Sequence, residues 1–340
     1  MIAAPASRGR GGATVEAPSR FAVWGRRVVV ALSSAGLLAS TLWWWDLTGP
    51  IPAVQAAYPL VPVAAVALLL ASIPARARRA AEVAALALAL CAVAILPVAS
   101  APLRAPSVDR PTRSLVVMAQ NLEYGEGSLD RLESAVNDEQ VDVLVLVEVD
   151  QRYLRRLRDS PVGARLPHES GRPVAGGAAG TVVLSRYPMR VVDADDAPDP
   201  RGEHFQQPVV ALDVDGLEVL VHGVHPLSPT SSTRLPQWRS SLGELAAWQR
   251  GQPPQAPLIM AGDFNAGWPH PAFREVADGM TDALAATGQA WRPTWPYDAR
   301  IPPFVQIDHV LSRGAAVQSA GTVPMPGSDH AGVWAKLLLP

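Results

Sequence analysis

Three apolar stretches crowd into the first hundred residues of this 340-residue chain, more than a single soluble core would accommodate. They are Val28 to Trp45 ("VVVALSSAGLLASTLWWW"), roughly Ile51 to Ala75, and Ala80 to Ala99, the last flawed only by Glu82. Each approaches the ~20 residues that cross a bilayer core. Apolar residues make up 49% of the chain and charged ones 18%. That excess sits almost wholly here, because residues 101–340 have the composition of an ordinary globular domain. A cleaved signal is the competing reading of the first run, with Arg26-Arg27 hinting at a twin-arginine type. Two more runs follow, and no small-residue cleavage site leads into a soluble domain. An uncleaved anchor is therefore expected.

Arginine placement orients the three spans. Arg8, Arg10, Arg20, Arg26 and Arg27 precede the first, and Arg76, Arg78 and Arg79 lie between the second and third. The "DLTGP" loop between the first and second carries none. Positive-inside bias places residues 1–27 and the "RARR" turn in the cytoplasm, so three crossings within 28–100 leave the remainder outside. Trp43, Trp44 and Trp45 cluster at one end of the first span as an aromatic belt would. The only cysteine, Cys91, lies in the third span, so no disulfide can staple the domain beyond it. Residues 101–113 read as a Pro-rich linker, and 114–340 as one domain. Eight arginines against Glu16, Asp46 and Glu82 give residues 1–100 a charge of +5; at −2 overall, residues 101–340 carry −7. A domain that grips nucleic acid usually shows a basic face, and this one is net acidic.

Beyond Ser114, apolar runs of strand length alternate with helical periodicity. "SLVVMAQNL", "VDVLVLVEV", "TVVLS", "VVALDV", "LEVLVHGVH", "PLIMAGDFN", "QIDHVLS" and "AGVWAKLLL" read as strands. Helices are expected at "SLDRLESAVNDEQ", at "RYLRRLRDS" and from Thr233 to Arg250, where Leu235, Trp238, Leu242, Leu245 and Trp248 share a face. Pro161 to Gly180 reads as a Gly-rich loop. The pattern implies an α+β or α/β fold, sheets packed face to face with helices outside.

Polar residues stand at the ends of these strands: Asn121, Glu148, His225, Asp263 with Asn265, Asp308, and Asp329 with His330. Strand ends on one sheet edge converge, so these residues can share a cleft. The inventory suits phosphoryl hydrolysis. Glu148, the Asn121 amide and Asp329 offer hard oxygens to Mg²⁺, or to Mn²⁺ in its place. Such an ion neutralises charge developing on a phosphoryl oxygen. Asp263 can orient or deprotonate the attacking water while Asn265 donates to the phosphoryl oxygen. A protonated His330 would stabilise transition-state charge, with Asp308 holding its ring. Each residue also has a bland reading as a strand-end turn or solvated carboxylate. His222 rivals His225, and His309 in "IDH" reads as packing. Trp238, Trp248, Trp268, Trp291 and Trp295 read mainly as core or corners, although Trp268 and Trp295 sit in Pro-rich loops near the motifs and could face substrate or membrane.

In this order, "NLEYG", "LVLVEVD", "GDFN", "IDHVL" and "SDH" resemble the endonuclease/exonuclease/phosphatase superfamily, which includes DNase I, abasic-site endonucleases, neutral sphingomyelinases and inositol-polyphosphate phosphatases. The resemblance runs from about Ser114 to the C-terminus. It implies a DNase I-like four-layer sandwich, two mixed β-sheets flanked by helices. It implies metal-site roles for Asn121, Glu148 and Asp329, phosphate contact for His225, water activation by Asp263 with Asn265, and an Asp308–His330 pair. No counterpart is recognisable of the extra acidic residue that supports the first histidine in secreted nucleases, nor of the DNA-gripping basic residues. The three-span layout is similar to membrane-anchored members tied to teicoplanin resistance, which implies a lipid-linked phosphate substrate at the bilayer. An extracellular nuclease and a non-catalytic membrane binding protein are the alternatives.

Overall fold

The computed structural model describes residues 19–46, 51–108, 111–173, 177–195, 205–297 and 300–340. Most of the expected cytoplasmic tail and the "LTGP" of the first loop lie outside them. Helix α1 (Arg20–Ser40) continues as a 3-10 turn through Trp44, followed by α2 (Ile51–Ala56), α3 (Leu60–Ser72) and α4 (Arg78–Ala99). Two of these are long and apolar enough to cross a membrane, Arg20–Trp44 with its 3-10 extension and Arg78–Ala99. The expected middle span is broken instead, because turns at Ala57 to Pro59 separate α2 from α3. Proline lacks the N–H that a continuous helix needs. At 1.5 Å per residue α3 reaches about 20 Å, short of the ~30 Å of a bilayer core.

The legs nevertheless pack together. The Arg26 guanidinium donates to the Ala75 carbonyl at one end of the bundle. At the other, the Gln55 amide donates to the Leu42 and Trp45 carbonyls and the Tyr58 hydroxyl to Ser40. Arg26, Arg27, Arg76, Arg78 and Arg79 thus gather at the end remote from Trp43.

The remaining chain forms two six-stranded mixed sheets. Its strands are β1 (Arg113–Asn121), β2 (Val143–Val147), β3 (His168–Glu169), β4 (Thr181–Ser185), β5 (Met189–Asp193), β6 (Val209–Val214), β7 (Leu217–Val224), β8 (Leu258–Asp263), β9 (Thr281–Asp282), β10 (Asp308–Arg313), β11 (Ala316–Pro324) and β12 (Ala331–Leu339). Its helices are α5 (Leu129–Asp138), α6 (Gln151–Arg158), α7 (Pro161–Arg165), α8 (Arg234–Gly251), α9 (Pro271–Val276) and α10 (Ala283–Ala286). One sheet has the order β11-β12-β1-β2-β4-β3, the other β5-β6-β7-β8-β10-β9. Each is built around one parallel pair, β1 with β2 and β7 with β8. The α+β sandwich expected from the strand pattern is present. The Pro161–Gly180 "loop" carries α7 and β3 as well, and the first strand starts one residue earlier than expected, at Arg113.

The central strands are continuous apolar runs because both their faces are buried. In β1, Leu115, Val117 and Ala119 face the other sheet, while Val116 and Met118 face the helices outside. In β8, Ile259 and Ala261 face inward, and Leu258 and Met260 pack under α8 and α9. With a side-chain period of two, odd-numbered residues of β1 and β8 point between the sheets. That parity carries Asn121 and Asp263 to the same inner layer.

Candidate active site

One edge of the sandwich gathers the polar strand ends. β1, β2, β7 and β8 finish where β10 and β12 begin, because β10 is antiparallel to β8 and β12 antiparallel to β1. Asp308 stands opposite Asp263 in the β10–β8 register. Val310 is an inner residue of β10, so Asp308 is one too, while His309 faces outward. The same parity separates the two histidines of β7. Val219 and Val221 point inward, which takes His225 to the site and turns His222 outward against Trp248.

The Asn121 amide donates to Glu148 Oε1 at 3.2 Å and to Asp263 Oδ2 at 3.1 Å, while its oxygen accepts from the Glu123 N–H. Glu148 Oε2 accepts from the Tyr124 N–H at 3.1 Å. Glu148 holds φ at 55°, a left-handed conformation rare outside glycine and often found at functional sites. Asp263 Oδ1 accepts from the Asn265 N–H at 2.7 Å, leaving Oδ2 to face Asn121, His225 Nε2 (3.9 Å) and His330 Nε2 (3.7 Å). His225 Nε2 also lies 3.8 Å from Glu148 Oε1. The His330–Asp308 pair closes at 2.9 Å through Nδ1. Asp329 joins through His330, at 3.7 Å, and its other oxygen accepts from the Trp295 indole at 2.8 Å. All eight expected residues therefore fall around one edge.

Asn265 is placed otherwise than its spacing from Asp263 suggests. The pleat ends at Asp263, and Asn265 takes φ of 48°, so the strand alternation no longer governs its side chain. Its amide donates to the Pro226 carbonyl at 3.0 Å and ties down the loop behind His225.

Neighbouring carboxylates drive the two site histidines apart. His225 is lowered to about 4 by desolvation, which outweighs the pull of Asp263. His330 is equally buried, but Asp308, Asp263 and Asp329 together overcome the desolvation and raise it to about 10. At neutral pH one ring is neutral and the other is a cation, the division of labour that acid–base and electrostatic catalysis require. Glu148 is raised to about 7, chiefly by desolvation and further by Asp263. Desolvation raises Asp263 as well, against the lowering effect of His330.

These carboxylates hold more negative charge than His330 balances, which suits a divalent cation. Glu148 would be a hard oxygen ligand for it. Ligand atoms of Asp263, Asp308 and His330 also lie within 4.8 Å of one another and could hold an ion. A protonated imidazole has no free lone pair, however, so the hydrogen-bonded His330–Asp308 pair is better suited to stabilising anionic charge. When bound, the cation would act as a Lewis acid on a phosphoryl oxygen.

His309 is structural, its ring between Asp282 (2.6 Å) and the Ala266 carbonyl (3.1 Å). Three contributors escaped the sequence reading, and a fourth, Trp295, was placed near the motifs without its role. Glu123 accepts from the Asp329 N–H, and Thr294 accepts from the Ile307 and Asp308 N–H groups. Trp295 holds Asp329, and Phe205 packs on the His225 ring at 4.8 Å. All lie in loops, where no periodicity marks them; the strand-proximal position of Glu123 and the Pro-rich loop of Trp295 offered the only hints.

A two-sheet sandwich whose paired strand ends present acids and one charged histidine defines the DNase I-like class of hydrolases. The chain belongs to the Endonuclease/Exonuclease/phosphatase family, whose model matches residues 118–330, and members of that family hydrolyse phosphate esters. Among solved structures it is similar to truncated TDP2 from Caenorhabditis elegans (20% identity, TM-score 0.53, covering 68% of this chain and 100% of that one). It is likewise similar to an endonuclease/exonuclease/phosphatase from Beutenbergia cavernae (22%, 0.50, 67% and 72%) and one from Bacteroides thetaiotaomicron (16%, 0.51, 68% and 100%). At these identities the likeness establishes the fold. No curated protein matches the chain in sequence.

Proposed function

We propose that the chain is a membrane-anchored, Mg²⁺-dependent phosphoesterase acting on a lipid-linked phosphate, phosphodiester or pyrophosphate of the cell envelope, similar in layout to the teicoplanin-resistance protein VanJ. One observation carries the lipid reading: the loop that leaves Asp263 and Asn265 ends on the helix bundle. His270 Nε2 lies 2.9 Å from the Pro52 carbonyl, and Arg274 reaches the Trp43 carbonyl at 2.6 Å. Trp291, in the segment that leads to Trp295, packs edge-on to Trp43. A site tied this closely to apolar helices meets substrates held in a bilayer at high effective concentration. Within it, Asp263 Oδ2 takes up the proton of the attacking water, and His330 stabilises the charge that builds on phosphorus-bound oxygen. His225, neutral, donates or accepts a hydrogen bond at the phosphate. The catalytic domain lies outside the cytoplasm in this reading, following the arginines of the far bundle end.

A nuclease is the second reading. It is favoured by the similarity to Danio rerio TDP2, crystallised with a single-strand DNA product (16% identity, TM-score 0.51). The acidic balance of residues 101–340 and the lack of Lys or Arg among the eight site residues weigh against it. A binding protein without catalysis would have no need of the Asp308–His330 pair. Purified full-length protein assayed on polyprenyl phosphates, sphingolipid phosphodiesters and plasmid DNA, with and without chelator, separates the three. Chelator-sensitive lipid turnover is expected; efficient DNA cleavage without lipid turnover would make it a nuclease, and inactivity on every substrate a binding protein.

A further inference from the structure

A second polar feature lies where the bundle meets the catalytic domain. A cavity of about 460 Å³ opens there, lined by Trp43, Trp44, Ala94 and Pro97 of the helices and by Arg104 and Arg274. Its volume is within the range of small-ligand sites. Arg274 is half-buried, stacks on Trp43 at 4.6 Å, and donates to the carbonyls of Trp268 and Trp43. Two carbonyls use part of its five-donor fork and none of its charge. Among the described residues no carboxylate is paired with it. Of the two acids that border the cavity, Asp282 is engaged by His309 and the Ala285 N–H, and Asp278 is exposed to solvent. A cation partly withdrawn from water is costly without a counter-charge. Desolvation lowers the Arg274 guanidinium to about 10. The Trp268 indole N–H, on the same lining, is also buried without a partner among the described residues.

Both groups call for an acceptor, and Arg274 for an anion. The surroundings identify its source. The helical wall of the cavity belongs to α4, whose Val93 and Leu96 are exposed apolar residues, and α4 is long enough to cross a membrane. A ligand here has its polar end beside the Arg274 guanidinium and its apolar end along α4. We propose that this junction cavity binds the phosphate of an anionic membrane lipid, with its chains along the Val93–Leu96 face. Arginine suits the task because its fork matches phosphate oxygens. The site rests on the reading of the bundle as bilayer-embedded, and not on hydrolysis at the catalytic edge.

The test uses full-length protein in neutral detergent, its melting temperature followed as phosphatidylglycerol or phosphatidylcholine of identical chains is added. Inorganic phosphate is a third arm, and Arg274→Gln and Arg104→Glu are compared with the parent. Phosphatidylglycerol should raise the melting temperature by about 5 °C more than phosphatidylcholine at saturation. Arg274→Gln should erase that difference. Equal shifts with the two lipids overturn the proposal, as does an equal shift from inorganic phosphate, which would mark a free-anion site. Discrimination that survives Arg274→Gln overturns it too; should that variant not fold, discrimination unchanged in Arg104→Glu has the same force. Release of the chain from membranes without detergent would instead overturn the membrane reading beneath it.

Discussion

Asp308→Asn tests the charge assigned to His330. The substitution keeps the shape at β10 and removes the carboxylate 2.9 Å from Nδ1. A ring moved from 6.5 to about 10 favours its protonated form by about 5 kcal/mol. Asp308 contributes to that twice, by charge and by hydrogen bond. Without it, burial is opposed only by Asp263 and Asp329, and the ring should fall to its ordinary 6.5 or below. At about pH 8 the cationic fraction would then drop to about one part in thirty, before any loss of orientation. With the ring also free to turn, the rate should fall by about 10²–10⁴. The assay is release of para-nitrophenol from its phosphodiester by detergent-solubilised enzyme across pH. In the parent the alkaline limb should lie near 10; in the variant it should move to neutrality or disappear into the lost rate.

Stability gives a second reading of the same change. His330 has a raised folded pKa, so its contribution is full below 6.5 and is lost as pH rises through about 10. Asp308→Asn should therefore destabilise at neutral pH. The net loss should be smaller than about 5 kcal/mol, because Asp308 also crowds Asp263 and its removal relieves that repulsion. An alkaline limb left in place, with activity within about threefold of the parent, would refute the assigned role of the pair.

Glu148 is raised to about 7, so its contribution to stability is full below 4.5 and lost as pH rises through 7; a bound cation would restore it. Mg²⁺ should accordingly raise the melting temperature by about 5–10 °C at about pH 8 and far less at about pH 5.5, with Glu148→Gln erasing the effect. Gly262→Ala should leave little folded protein on expression, since φ is 148° and a Cβ would fall on the Val224 carbonyl of the paired strand. Normal yield with a native-like melt would contradict that packing. Reporter fusions at Arg78 and after Ala101 should report cytoplasmic and external locations respectively, and the reverse pattern would place the site in the cytoplasm.

Legibility in the sequence followed burial. β1, β2 and β8 announced themselves because both faces are packed and their runs are apolar throughout. β11, which the sequence did not disclose, is an edge strand whose Gln318, Ser319, Gly321 and Thr322 face partly to solvent, so neither alternation nor an apolar run marks it. The short β5 and β9 were missed similarly. The site was legible wherever its residues end strands. Thr294 and Phe205 were not, and Trp295 only as a neighbour of the motifs, because their positions depend on loop paths that only tertiary packing defines. Trp43 shows the same limit. It read as part of an aromatic belt, yet it is buried between Tyr58, Trp291 and Arg274, while Trp44 and Trp45 remain exposed.

The broken middle leg bears on which side of a membrane the catalytic edge would face. An even number of crossings returns the chain to the side it left, so a leg that failed to cross would put the domain beside the N-terminal arginines. Helix length alone favours that outcome, because α3 is short. The attachments of the leg argue the other way. Its start is fastened by Gln55 and Tyr58 to the Trp45 end of α1, and its finish by Ala75 to Arg26 near the start of α1. Taken as one unit, α2 and α3 run the length of α1 in reverse, which is the path that a third crossing would need. The turn at Ala57–Pro59 then lies near the end fastened to the catalytic domain. There the backbone groups that a break frees lie at the polar boundary rather than in hydrocarbon, where a broken helix is tolerated only if they are satisfied. Tyr58 is buried at that point with its hydroxyl on the Ser40 carbonyl, and the Tyr58 and Val61 N–H groups bond to the Gln55 and Tyr58 carbonyls. The break is thus compatible with a third crossing, and its place beside the domain is where a crossing helix can best accommodate it.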